Sequence, residues 1–138
     1  MKKQVAYKIV HKTLRRGTNY ILGTEGLDVV IPRKIEKYFP QYLKDAVVKA
    51  VPKSAGICCF KTREDAKQFI NDELLRYISL CKILKVQGEG VVAHPVLYPQ
   101  LGCNLQYFLD ALYHRMEYDW TKALPDGFIS FRKVTVLE

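Results

Sequence analysis

The sequence predicts one α+β domain over residues 1–138, with a mainly antiparallel sheet and two or three packed helices. Three observations carry that prediction. A chain of 138 residues, 49% hydrophobic and 26% charged, has the length and balance of one globular unit, and it needs neither disulfide nor metal to build a core. Short alternating apolar runs, "QVAYKIVHKT" near the start and "FISFRKVTVLE" at residues 128–138, have the period of two expected of strands. Between them Ala66, Phe69, Ile70, Leu74 and Tyr77 recur at three- and four-residue steps, the spacing of a helix packed along one side.

In the first run Val5, Tyr7 and Ile9 alternate with Ala6, Lys8 and Val10. The pattern predicts a half-buried strand with Lys8 and Lys12 on its solvent side. Gly17 suits a turn, Asn19 to Leu22 reads as a returning strand, and Arg15 and Arg16 fall at the hairpin tip. "LDVVIP" reads as a third strand stopped by Pro32, which has no amide hydrogen for a ladder. Over residues 43–51, Leu43, Ala46, Val47 and Ala50 keep helical spacing until Pro52, which predicts a helix; the β-branched "DAVVKAVP" leaves a strand as the alternative.

"ICCF" is a compact apolar run after Gly56, the size of a buried strand, in which adjacent cysteines point to opposite faces and act as small hydrophobes. Thr62 then stands as helix N-cap with Asp65 three residues on, a variant of the capping box, and Glu64 and Asp65 complement the positive end of the helix dipole. "LCKILKV" predicts a strand from Leu80 to Val86, followed by a Gly88-Glu89-Gly90 turn and a short extension through Val92. That turn lacks the lysine and spacing of a phosphate-binding loop. "HPVLYPQLGCN" reads as a loop ending in Asn104 as cap of a further helix, whose stripe is Leu105, Phe108, Leu109, Leu112 and Met116. After the turn signal "LPDG", the closing strand is expected to carry Phe128, Ser130, Arg132, Val134 and Val136 on one face.

Charge is unevenly placed. Residues 1–53 hold 12 Lys/Arg and 4 Asp/Glu, whereas residues 54–138 hold 10 of each, so the entire net charge of +8 lies in the first part. Such an asymmetry attracts phosphates or acidic partners. Tyrosines lie among these cations, and aromatic rings beside Lys and Arg can stack on bases while the cations hold phosphates. The expected ligand-binding set is therefore Lys8, Lys12, Arg15, Arg16, Arg33, Lys34 and Lys37, with Tyr7 and Tyr20 as stacking rings.

Chemistry is thinly represented. The four cysteines, Cys58, Cys59, Cys81 and Cys103, have neither Cys-x-x-Cys nor finger-like spacing, so no metal is expected and the thiols read as reduced. No Gly-x-Ser-x-Gly, His-Glu-x-x-His or paired-carboxylate motif occurs, and no cofactor is expected. His94 with Tyr98 is the pair to watch for catalysis, because both fall in a loop. "EYDWTK" around Trp120 offers a protein-contact patch instead. The opening lysines are not followed by the apolar region of a secretory signal, and no segment approaches the length of a membrane span. The expected compartment is thus the cytoplasm, of a cell or of a virus's host.

"AYKIVHKT", then "GICCFKTREDAKQF" and "ILKVQGEGVV", together resemble a pattern of small uncharacterised phage and prokaryotic proteins, in which a Gly-x-x-x-Phe-x-Thr-x-Glu/Asp-x-Ala segment joins a strand to a helix. The resemblance covers the first strand and Gly56 to Val92. It implies an architecture and a viral or mobile-element origin, and it transfers no activity and no binding residues.

Three classes follow. The first is a small basic non-enzymatic protein that binds a phosphate-bearing ligand, a nucleic acid or a nucleotide. The second is a protein-interaction module or inhibitor of a host protein. The third is a small nucleotide-processing enzyme.

Overall fold

The computed structural model describes residues 2–16, 40–52, 56–92 and 126–138. The elements in these ranges are β1 (Lys3–His11), β2 (Val47–Lys49), β3 (Ile57–Phe60), α1 (Arg63–Glu73), a 3-10 helix (Leu75–Leu80), β4 (Cys81–Val91) and β5 (Phe128–Val136). All strand pairings are antiparallel. β1 pairs with β3 and β4, β5 pairs with β2 and β3, and β4 also pairs with β5, so β1, β3, β5 and β4 close into a four-stranded barrel with β2 added alongside β5. The longest ladder joins β1 to β4, with Lys3 opposite Glu89 at one end and His11 opposite Cys81 at the other.

Closure gives the sheet two covered faces. Inside the barrel lie Ala6, Val10, Tyr42, Val48, Ile57, Cys59, Leu84, Val86, Ile129, Phe131, Val134 and Val136. Outside, Ile9 and Phe60 pack against Ala66, Phe69 and Ile70 of α1 and its C-cap Leu74, with the Phe60 and Phe69 ring centres 5.2 Å apart. Each face follows from alternation along a strand or from the three- and four-residue step along the helix. The helix begins where the capping chemistry dictates: Thr62 is extended, its Oγ1 accepts from the Asp65 amide at 3.0 Å, and its hydroxyl donates to Asp65 Oδ2 at 2.8 Å.

Four expectations change in the folded chain. The described residues contain one α-helix rather than two or three. Residues 47–49 are a strand and not part of a helix, because β5 takes up the neighbouring backbone groups: Asp45 donates to the Val136 carbonyl, Val136 donates to that of Ala46, and Ala50 donates to that of Arg132. Asp45 also has a positive φ of 66°, which a right-handed helix excludes. The Gly88-Glu89-Gly90 segment is no turn, since β4 runs through it, and Glu89 is held there by Lys133 at 2.8 Å and Lys3 at 3.6 Å. In β5 the buried side shifts between Phe131 and Val134, leaving Arg132 exposed, so the expected single face from Phe128 to Val136 does not form.

Gly88 has a packing role. A Cβ placed on it would lie 2.5 Å from ring carbons of Phe131, whose side chain is fully buried. The missing side chain on β4 is the space that the ring on β5 occupies.

The expected strands at Asn19–Leu22 and Leu27–Pro32, the loop with His94 and Tyr98, the helix after Asn104, Cys103 and Trp120 lie outside the described residues. Within them, no helix is long and apolar enough to cross a membrane.

Candidate anion-binding surface

The turn after β1 aims Arg15. Nδ1 of His11 accepts from the amides of Thr13 at 3.2 Å and Leu14 at 3.1 Å, and the His11 carbonyl accepts from the Arg15 amide. These bonds fold the chain back on itself, and Arg15 takes a left-handed φ of 55°, uncommon for a residue with a side chain. Its backbone oxygen accepts from the Tyr42 amide, while its Nε donates to the Tyr42 carbonyl at 2.8 Å. Two bonds to one residue fix the direction of the guanidinium.

From there Arg15 Nη2 donates to the main-chain oxygen of Glu138 at 2.6 Å. Glu138 reaches this point because β5 continues beside β4, with the Leu137 amide donating to the Lys85 carbonyl. The other end of the same residue meets a second arginine: Arg63 Nη2 lies 3.1 Å from Glu138 Oε1. Arg63, the first residue of α1, also sits over the Tyr7 ring at 5.0 Å. One acidic residue thus joins two arginines, one of them stacked on a tyrosine. The Arg63–Glu138 pair is part-exposed, with side-chain accessibilities of 36% and 39%, so it contributes about 0–1 kcal/mol and opens easily.

Lys8 faces the other way. It is 6% exposed, lies on the barrel side of β1 with Ala6 and Val10, donates to the Cys58 carbonyl at 2.9 Å, and holds its ammonium 5.4 Å from the Tyr42 ring centre. This departs from the expected solvent side for Lys8, and the cause is barrel closure, which turns the second face of β1 into an interior. Tyr42 is buried as well, which pushes its hydroxyl far above the ordinary value, with the two nearby cysteines adding to the effect.

Of the expected binding set, then, Arg15 meets Glu138 directly, Tyr7 is linked to it through Arg63, and Lys8 shares Tyr42 with Arg15 from inside the barrel. Lys12 is exposed and Arg16 half-buried in the turn, where the Arg16 carbonyl accepts from the His11 amide. Tyr20, Arg33, Lys34 and Lys37 lie outside the described residues. Sequence reasoning missed Arg63 and Glu138. Arg63 lies just after the N-cap of the helix and Glu138 just past the closing strand, and no local pattern reports that residues 75 and 123 positions apart meet.

Among the described residues, the thiols of Cys58, Cys59 and Cys81 are held in their protonated form by burial. Burial pushes Cys59 up to about 12, with Lys8 opposing and Cys58 adding, and burial alone pushes Cys81 up to about 11. Burial also raises Cys58, against the lowering effects of Lys8 and a hydrogen bond from Ser130. None of the three is in a disulfide, and among the described residues no group of three or more His, Cys, Asp or Glu is placed to hold a metal.

A pH dependence follows from these shifts. Thiols raised in the folded state favour folding fully below their ordinary value of 9.0, and that contribution is lost as pH climbs through about 11 for Cys81 and about 12 for Cys59. Tyr42 acts in the same direction. Urea midpoints measured from about pH 8 to about pH 11 are expected to fall steadily above about pH 9, and a flat profile would mean that the thiols are solvated.

No family model, no curated protein and no solved structure matches this chain. Over the described residues, the class it defines is therefore stated from its own geometry: a closed antiparallel barrel flanked by α1, with two arginines held at opposite ends of Glu138 on its surface.

Proposed function

We propose that this is a small basic binding protein, without catalytic function, for a phosphate-bearing ligand: a nucleic acid strand or a nucleotide. The observation that carries the reading is the convergence of Arg15 and Arg63 on one acidic residue, with Tyr7 beneath Arg63. Guanidinium groups directed at exposed acceptor oxygens have the donors and geometry to bind phosphate oxygens, and a neighbouring ring suits a base. The +8 charge, all of it arising within residues 1–53, supplies the long-range attraction. This reading assigns Lys12, Arg15 and Arg16 to the ligand among the described cations, and Arg33, Lys34 and Lys37 extend the set in sequence. The setting proposed is the cytoplasm of a cell or of a virus's host.

The test is fluorescence anisotropy of labelled single- and double-stranded DNA and RNA across a salt series. Changing Arg15 and Arg16 together to Ala is expected to weaken binding and flatten the log–log salt slope by about one to two. Unchanged affinity and slope would remove both arginines from the site.

A second reading, a module that docks on a host protein and inhibits it, has one feature in its favour: Leu75 and Ile78 of the 3-10 helix are 65% and 50% exposed. Capture of a partner from lysate that survives nuclease treatment, and is lost in Leu75→Ser, would favour it over the first.

A further inference from the structure

Resting on that reading, we propose that Arg15 and Arg63 form a site for two linked phosphate groups and that Glu138 occupies this site in cis. The two arginines do not grip one carboxylate. Arg15 takes the main-chain oxygen of Glu138 and Arg63 takes its side-chain Oε1, so the acceptors they hold stand at opposite ends of a glutamate residue. The oxygens of a single phosphate share one phosphorus atom and lie closer together than that. Oxygens on two linked phosphates, whether a diphosphate or successive phosphates of a strand, reach across such a gap.

The surroundings suit an exchangeable occupant. Arg15 is pinned by the Tyr42 carbonyl and Arg63 is stacked on Tyr7, so both donors keep their direction when Glu138 leaves. Glu138 is itself exposed, with Leu137 held by the Lys85 carbonyl as the point about which it can swing. Glu138 offers Arg63 a side-chain carboxylate and Arg15 a main-chain oxygen, whereas a diphosphate offers each arginine a phosphate group with more negative charge than a carboxylate, and arginines bind the more highly charged partner more strongly. Glu138 thereby competes with an incoming anion for both arginines.

The experiment titrates the full chain with inorganic pyrophosphate and with orthophosphate by calorimetry, and with labelled oligodeoxythymidine by anisotropy, using wild type, Glu138→Ala and a chain lacking Glu138. Circular dichroism melts establish that each variant is folded. Pyrophosphate is expected to bind about two- to fivefold more tightly once the Glu138 side chain is removed, with a smaller gain for orthophosphate. Adding Arg63→Ala to Glu138→Ala is expected to abolish the gain. A parallel gain for the oligonucleotide assigns the site to strand phosphates, and a gain for pyrophosphate alone assigns it to a nucleotide. Pyrophosphate affinity unchanged in both Glu138 variants overturns the inference; if the oligonucleotide still binds wild type in a salt-dependent way, the broader reading survives that failure. If no probe binds wild type or variants, both fall.

Discussion

Replacing Phe131 by alanine is expected to lower the free energy of unfolding by about 3–5 kcal/mol, the usual cost of emptying a fully buried aromatic site. Phe131 has no exposed surface, and its ring fills the barrel where β4 carries Gly88 in place of a side chain. The reciprocal change, Gly88→Ala, is expected to cost about 1–3 kcal/mol, because the new methyl would stand 2.5 Å from ring carbons in a packed interior. The double variant provides the sharper measurement. With the ring gone, the added methyl partly fills the space it vacated, so the combined loss should fall short of the sum of the two single losses by more than about 0.5 kcal/mol. Urea unfolding of all four proteins reads this directly. Additivity within that margin would mean that the ring does not lie over Gly88.

The second large effect belongs to Lys8, and it depends on which residue replaces it. Lys8→Ala is expected to destabilise by about 2–4 kcal/mol, because the aliphatic stem fills barrel volume and its removal leaves a cavity beside Tyr42 and the Cys58 carbonyl. Lys8→Met keeps that volume and removes an ammonium that has lost most of its water. The variant is expected to be as stable as wild type or more stable, by up to about 2 kcal/mol. Its oligonucleotide affinity is expected to stay unchanged, because the Lys8 ammonium is directed at a carbonyl inside the fold. A clear loss of stability in Lys8→Met would show that the hydrogen bond to Cys58 and the contact with Tyr42 outweigh the cost of burial. A loss of binding would return Lys8 to the ligand site.

Local structure was the legible part. "ICCF" is a strand, its two cysteines differ in burial as alternation requires, and Thr62 caps α1 through Asp65 as the spacing indicates. Ala66, Phe69 and Ile70 are the buried stripe of that helix, which ends at Glu73 with Leu74 as cap, so that Tyr77 of the expected stripe falls in the 3-10 helix instead. These features depend on residues within one or two turns of each other, where φ/ψ preference, side-chain reach and period are enough. The readings that changed share a different cause. Val47–Lys49 has helical spacing but pairs with β5, and Gly88 and Gly90 look like a turn but sit in a strand across from a large ring and an arginine. In each case a partner far along the chain outweighed the local preference.

The candidate site shows the same division. Positive charge and tyrosines within residues 1–53 were visible in composition, and they led to Tyr7 and Arg15. That Arg63 and Glu138 complete the cluster was not visible, since nothing near either residue in sequence marks it as a partner of Arg15.

The sequence by itself determined the strands of alternating residues, the capped helix and the placement of all the excess charge in the first part of the chain, because each follows from neighbouring side chains and simple counting. Only the tertiary structure decided that the sheet closes, that Lys8 is therefore inside rather than outside, and that two arginines meet at Glu138. The physical reason is distance along the chain: the contacts that decide these points join residues 50, 75 and 123 positions apart, and they form only when strand pairing brings those segments together.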